Sequence, residues 1–115
     1  MLVQIKRVYE KPDKDDGVRI LVDRLWPRGL SKNKAKIDYW MKEIAPSDAL
    51  RKWFGHKEER WEELKRRYRE ELKTKKDLIE EFKNFSRNSN VTLLYAAKDK
   101  QRNNAVVLLE LFRGK

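Results

Sequence analysis

The run Val91-Thr92-Leu93-Leu94-Tyr95-Ala96-Ala97 constrains this chain most, because it is nearly continuous apolar sequence bounded by polar loops. A half-exposed strand would alternate apolar and polar residues. A run without that alternation fits a strand covered on both faces, as in a parallel sheet with helices above and below it. The run therefore reads as a central strand.

The remaining segments supply what such a strand needs. Val3-Gln4-Ile5-Lys6-Arg7-Val8 alternates like a strand with one covered face, and the stretch from Lys11 to Gly17, with Pro12 and three aspartates, breaks it as a turn or surface loop. Val18-Arg19-Ile20-Leu21-Val22 forms a second strand ending at Asp23. Ser31 is placed to cap a helix over 32–42, in which Ile37, Trp40, Met41 and Ile44 recur at helical spacing. Ala45-Pro46 stops that pattern, Ser47 caps a short helix through Leu50 and Trp53, and Gly55 suits its left-handed end. A long helical pattern begins near Lys57 with Trp61, Leu64, Tyr68 and Leu72 on one face. It bends at 74–77 and continues through Leu78, Ile79, Phe82 and Phe85, before a loop at 86–90. Asn103 or Asn104 caps a last helix, lined by Ala105, Leu108, Leu109 and Phe112.

This order predicts an α/β fold: a small, partly parallel sheet of about three strands covered by several helices, with strands two and three parallel. A length of 115 residues suits one hydrophobic core, so residues 1–115 read as a single domain. No apolar stretch is long enough to cross a bilayer and no signal peptide is evident, which predicts a cytoplasmic protein without a membrane partner. The absence of cysteine excludes disulfides and thiolate chemistry, and a single histidine excludes a His-rich metal site. No cofactor or metal is specified, nor is the oligomeric state. Lys and Arg outnumber Asp and Glu by 29 to 19, a formal charge of +10. That excess favours anionic partners, and the same Lys- and Glu-rich composition also fits proteins from hot environments.

Ligands of open α/β sheets bind beyond the carboxyl ends of the strands, where loops lead into helix N-termini. Two such junctions occur here. The first carries Asp23, Arg24, Trp26, Arg28 and Ser31; the second carries Tyr95, Lys98, Asp99, Asn103 and Asn104. Adjacent parallel strands would bring both to one crevice. There Arg24 or Arg28 could grip a phosphate or carboxylate, and Asp23 or Asp99 could act as a general base or hold a hard cation. The competing explanation makes Asp23 and an arginine a lock for the turn, Trp26 a core residue, Lys98-Asp99-Lys100 a solvated loop and Asn103 a helix cap. A third cluster, Leu50-Arg51-Lys52-Trp53-Phe54-Gly55-His56, holds the lone imidazole. His56 could shuttle protons, and Trp53 beside Arg51 could stack a base against a phosphate contact, or all three could serve packing alone.

These motifs resemble domain of unknown function family 488, in its short YeaO-like branch. The resemblance rests on the run from Val22 to Lys32, on Ala45-Pro46-Ser47, on Leu50 to His56, on Trp61, Tyr68 and Glu71-Leu72, and on Leu93 to Asp99 followed by Asn104-Ala105 and Leu108. It covers about residues 17–110 and implies a small α/β fold, but no particular reaction. Lys57 departs from the acidic residue that similar proteins often carry after the histidine, which weakens any scheme needing a His and carboxylate pair there. Three functions stay open: binding of a small phosphorylated or otherwise anionic ligand in the crevice, with or without catalysis; nucleic-acid binding through a basic surface with an exposed tryptophan; and a structural or interaction role.

Overall fold

The apolar run becomes β4 (Val91–Tyr95), buried along its whole length. In the computed structural model, which describes residues 2–114, it lies between β1 (Val3–Arg7) and β2 (Val18–Leu21), with a two-residue β3 (Tyr39–Trp40) at the far edge of β2. The order is β1-β4-β2-β3 and every pairing is parallel, with Leu93 aligned between Ile5 and Ile20. The helices are α1 (Lys32–Ala35), α2 (Asp48–Phe54), α3 (Trp61–Leu72), α4 (Lys76–Asn88) and α5 (Asn104–Phe112).

The strand alternation divides the core in two. Ile20 and Val22 of the second strand segment join Val91, Leu93 and Tyr95 on one face, under Leu64, Tyr68 and Leu72 of α3, Phe82 of α4 and Leu108 of α5. Leu21 and Leu94 point to the other face, where Val8, Ala35 and Ile37 complete a smaller cluster. Each large aliphatic or aromatic side chain fully buried this way contributes about 1.5–3 kcal/mol.

The caps fall where the sequence places them: Ser31, Ser47 and Asn103 each accept a backbone N–H at the start of a helix, and Gly55 ends α2 in the left-handed region. The helix expected over 32–42 is corrected to one turn. Lys36 is left-handed, and the buried Arg19 guanidinium takes the carbonyls of Ala35 (2.8 Å) and Lys36 (3.0 Å), which fixes the end of α1. Asp38 then exchanges bonds with the Arg19 backbone, and the chain continues as an edge strand instead of a helix. The apparent helical stripe is thus split: Ile37 and Ile44 are buried in different clusters on opposite faces of the sheet, while Tyr39 and Trp40 stay exposed. The loop expected at 86–90 is shorter, since α4 runs to Asn88.

The segment read as a surface loop also carries a buried carboxylate. Asp16 is paired with Arg19, and its two oxygens each receive Lys6 Nζ at 3.1 Å. Burial alone would raise its pKa, but the Asp13 N–H, Lys6 and Arg19 outweigh it and hold the carboxyl below the usual range. Gly17 follows with φ +67°, and a Cβ there would overlap the Asn90 carbonyl that accepts the Val18 N–H. Only glycine fits this approach of backbone to backbone.

Candidate functional site

Because β2 and β4 are adjacent and parallel, their carboxyl ends open on the same side of the sheet. A crevice of about 1140 Å³ lies there, lined by Asp23, Arg24, Trp26, Arg28, Arg51, His56, Lys98, Asp99 and Asn103 among others. Two of the expected residues lie outside it. Tyr95 is buried in the sheet, and Trp53 packs against the main core with the guanidiniums of Arg60 and Arg67 at 5.1 and 4.2 Å from its ring. Trp53 is therefore occupied by the protein's own cations, contrary to the base-stacking role considered for it.

Asp23 forms the floor. Its Oδ2 accepts the Ala96 N–H at 2.8 Å, tying the ends of the two strands together, and its carbonyl accepts the Trp40 indole N–H at 2.8 Å. Asn104 donates to the neighbouring Val22 carbonyl at 2.7 Å. Among the described residues no cation lies within ion-pairing distance of the Asp23 carboxylate. Burial pushes its pKa up, against the opposing influence of the Ala96 N–H, the Asn104 side chain and His56.

The first arginine of the junction is not free. Arg24 donates to the carbonyls of Pro46 (3.1 Å) and Ala45 (3.2 Å) and lies 3.7 Å from Glu43. It belongs to a clasp around the Ala45-Pro46-Ser47 segment. Lys75 also donates to the Ala45 carbonyl, Glu71 accepts the Ser47 N–H and hydroxyl, and the buried Tyr68 hydroxyl donates to the Ile44 carbonyl at 2.7 Å. Tyr68 is pushed well above its ordinary pKa by burial and by the charges of Asp23 and Glu71, so it stays a donor. The expectation that Arg24 grips a ligand thus gives way to a role in holding the crevice wall.

Asp99 and Asn103 are likewise engaged. Asp99 Oδ1 accepts the N–H groups of Gln101 (2.9 Å) and Arg102 (3.1 Å), bonds that hold its pKa below the usual range, and Asn103 caps α5 while donating to the Asp99 carbonyl. They shape the loop that leads into α5. Arg51 reaches Asp48 at 3.3 Å, and Trp26 donates to the Leu30 carbonyl at 2.7 Å and meets Trp40 edge to face at 5.3 Å. His56 sits at the mouth with φ +57°, a left-handed conformation that costs an imidazole-bearing residue about 1–3 kcal/mol.

The remaining rim is cationic. Arg28, Lys52 and Lys98 make no side-chain hydrogen bond or ion pair with any described residue, and their exposed side chains border the opening. Lys52, and Arg7 at the end of β1, were not singled out in the sequence. Arg7 was findable only by recognising that β1 pairs in parallel with β4, which aligns Arg7 with Tyr95 at the strand ends. Among the described residues no three His, Asp or Glu side chains gather as a metal would require, and no helix is long and apolar enough to cross a membrane.

The chain is 42% identical over 113 residues to the uncharacterized protein Rv3073c of Mycobacterium tuberculosis strain H37Rv, covering 98% of this chain and 95% of that one. It is 40% identical over 114 residues to the uncharacterized protein YeaO of Escherichia coli K12, covering 99% of both chains. No solved structure matches it. The family model DUF488-N3i, described as the inactive DUF488-N3 subclade, matches residues 2–115, and the chain belongs to that family.

Proposed function

We propose that the protein binds a small phosphorylated or otherwise anionic molecule in the crevice at the ends of β2 and β4, without turning it over. The observation that carries this reading is the set of cations at the opening: Arg28, Lys52 and Lys98 have no partner among the described residues, although most other arginines are engaged by carbonyls or carboxylates. Unpaired cations around a concave surface raise the local concentration of anions and bind them by charge-assisted hydrogen bonds. The absence of turnover accords with the description of the family as an inactive subclade and with the engagement of Asp99 in its turn.

The test is a thermal-shift panel of inorganic phosphate, nucleotides, sugar phosphates and carboxylates, with and without Mg²⁺. A ligand present at a hundred times its Kd stabilises the folded state by about 2.7 kcal/mol, which moves the melting temperature by several degrees. At least one phosphorylated compound should do so in a saturable manner, and Arg28→Ala should weaken it. A flat response across the panel would exclude the proposal.

A further inference from the structure

Asp23 poses a question that the cations around it sharpen. Of the five arginines that line the crevice, four are turned to other acceptors: Arg7 to the carbonyls of Ala96 and Ala97, Arg24 to those of Ala45 and Pro46, Arg51 to Asp48, and Arg102 to Asp99 and Glu58. In a chain with a formal charge of +10, the floor carboxylate has no cation within ion-pairing distance among the described residues. Its Oδ2 accepts the Ala96 N–H, the Asn104 side chain is a further polar neighbour, and no described cation reaches either oxygen. Asp23 is half-buried, and a partly desolvated carboxylate that no cation neutralises is the kind of group a ligand's donor completes.

Taken with the cationic opening, this makes the crevice bipolar. We infer that its ligand is an anion whose far end carries an amino or amidine N–H donor, with the anionic group at Arg28, Lys52 and Lys98 and the donor on Asp23. The inference rests on the anion-binding reading above and adds to it the second end of the ligand. The crevice is also lined by Pro27, Pro46, Phe54, Leu64 and Ala97, apolar surface suited to the body of a ring and not to a second charge. A volume of about 1140 Å³ accommodates a molecule the size of a nucleotide and exceeds what inorganic phosphate needs. Amino-bearing nucleotides and amino-sugar phosphates both have this chemistry.

Isothermal titration of the full chain with two matched pairs tests it: guanosine against inosine monophosphate, and glucosamine 6-phosphate against glucose 6-phosphate. Guanosine monophosphate carries an amino group where inosine monophosphate has hydrogen, and glucosamine 6-phosphate carries one where glucose 6-phosphate has a hydroxyl. One pair should show a preference of about tenfold or more for the amino member, as expected of a charge-assisted hydrogen bond, and which pair does so identifies the source. In Asp23→Asn the ratio should fall to within about twofold. The comparison in the wild-type protein decides by itself if the variant does not fold. Binding of the members with equal affinity in both pairs would overturn the bipolar site while leaving anion binding in place. Failure of all four to bind would also overturn the bipolar site, while the thermal-shift panel decides anion binding separately.

Discussion

The Asp23 carboxylate is desolvated by its place in the crevice and accepts a hydrogen bond from the Ala96 N–H. Burial raises its pKa in the folded chain, so the folded state takes up a proton more readily than the unfolded state does. The sign follows: the contribution of this group to stability is fully present below its unfolded pKa and is lost as pH rises through the raised value. Above that raised value the desolvated carboxylate is therefore destabilising. Asparagine keeps an acceptor for the Ala96 N–H and carries no charge. Asp23→Asn should accordingly melt higher than wild type at pH 7, by about 0.5–2 kcal/mol of added stability, the range typical of relaxing a functional constraint. The difference should close as the pH is lowered and Asp23 protonates. Thermal melts between pH 4 and 8 would measure this, and a variant that melts lower than wild type at neutral pH would assign Asp23 to the turn instead of the ligand.

At the level of elements, the parts of the fold written locally were legible and the parts written by distant side chains were not. β4 announced itself through its unbroken apolar run, and the caps at Ser47, Gly55 and Asn103 through residue types that satisfy neighbouring N–H groups or adopt a left-handed turn. β3 was hidden because Arg19, sixteen residues upstream of Ala35, ends α1 and aligns Asp38. The crevice was legible as two junctions, since adjacent parallel strands bring their ends together, but the engagement of Arg24 was not, because its partners are carbonyls of a segment more than twenty residues away. The Asp16, Arg19 and Lys6 network is therefore the joint between loop, sheet and α1. Removing one member of a buried ion pair leaves the other uncompensated and costs about 3–5 kcal/mol. Asp16→Asn should lose that much in urea denaturation at neutral pH. Because the Asp16 pKa is lowered on folding, the wild type holds this stability above the unfolded carboxylate range and sheds it as pH falls through the lowered value, whereas the variant should show a flatter acid limb.

Across the whole molecule, charges on α3 and charges at the crevice differ in how they are matched. Along α3 the charges are neighbours of opposite sign: Glu63 accepts Arg66 and Arg67 at 2.8 and 2.9 Å, and Glu70 accepts Lys73 at 2.8 Å. Such exposed pairs contribute about 0–1 kcal/mol each and suit a solvated helix face. At the crevice Arg28, Lys52 and Lys98 are unmatched. If overall charge alone drew anions to the protein, any two cations would serve equally. Screening at about 0.1 M salt has a length of about 10 Å, so a specific crevice should depend on the cations that border it and little on those of α3. The double variants Arg28→Ala with Lys98→Ala and Arg66→Gln with Arg67→Gln remove the same formal charge. Titrated at about 0.1 M salt with the best phosphorylated ligand of the panel, the first should weaken binding about tenfold or more and the second should stay within about twofold of wild type. Equal losses in the two would mean that the protein attracts anions by its net charge, and the same pair of variants titrated with single-stranded DNA would then show whether the basic surface as a whole is the binding element, through a salt dependence that scales with the number of phosphates neutralised.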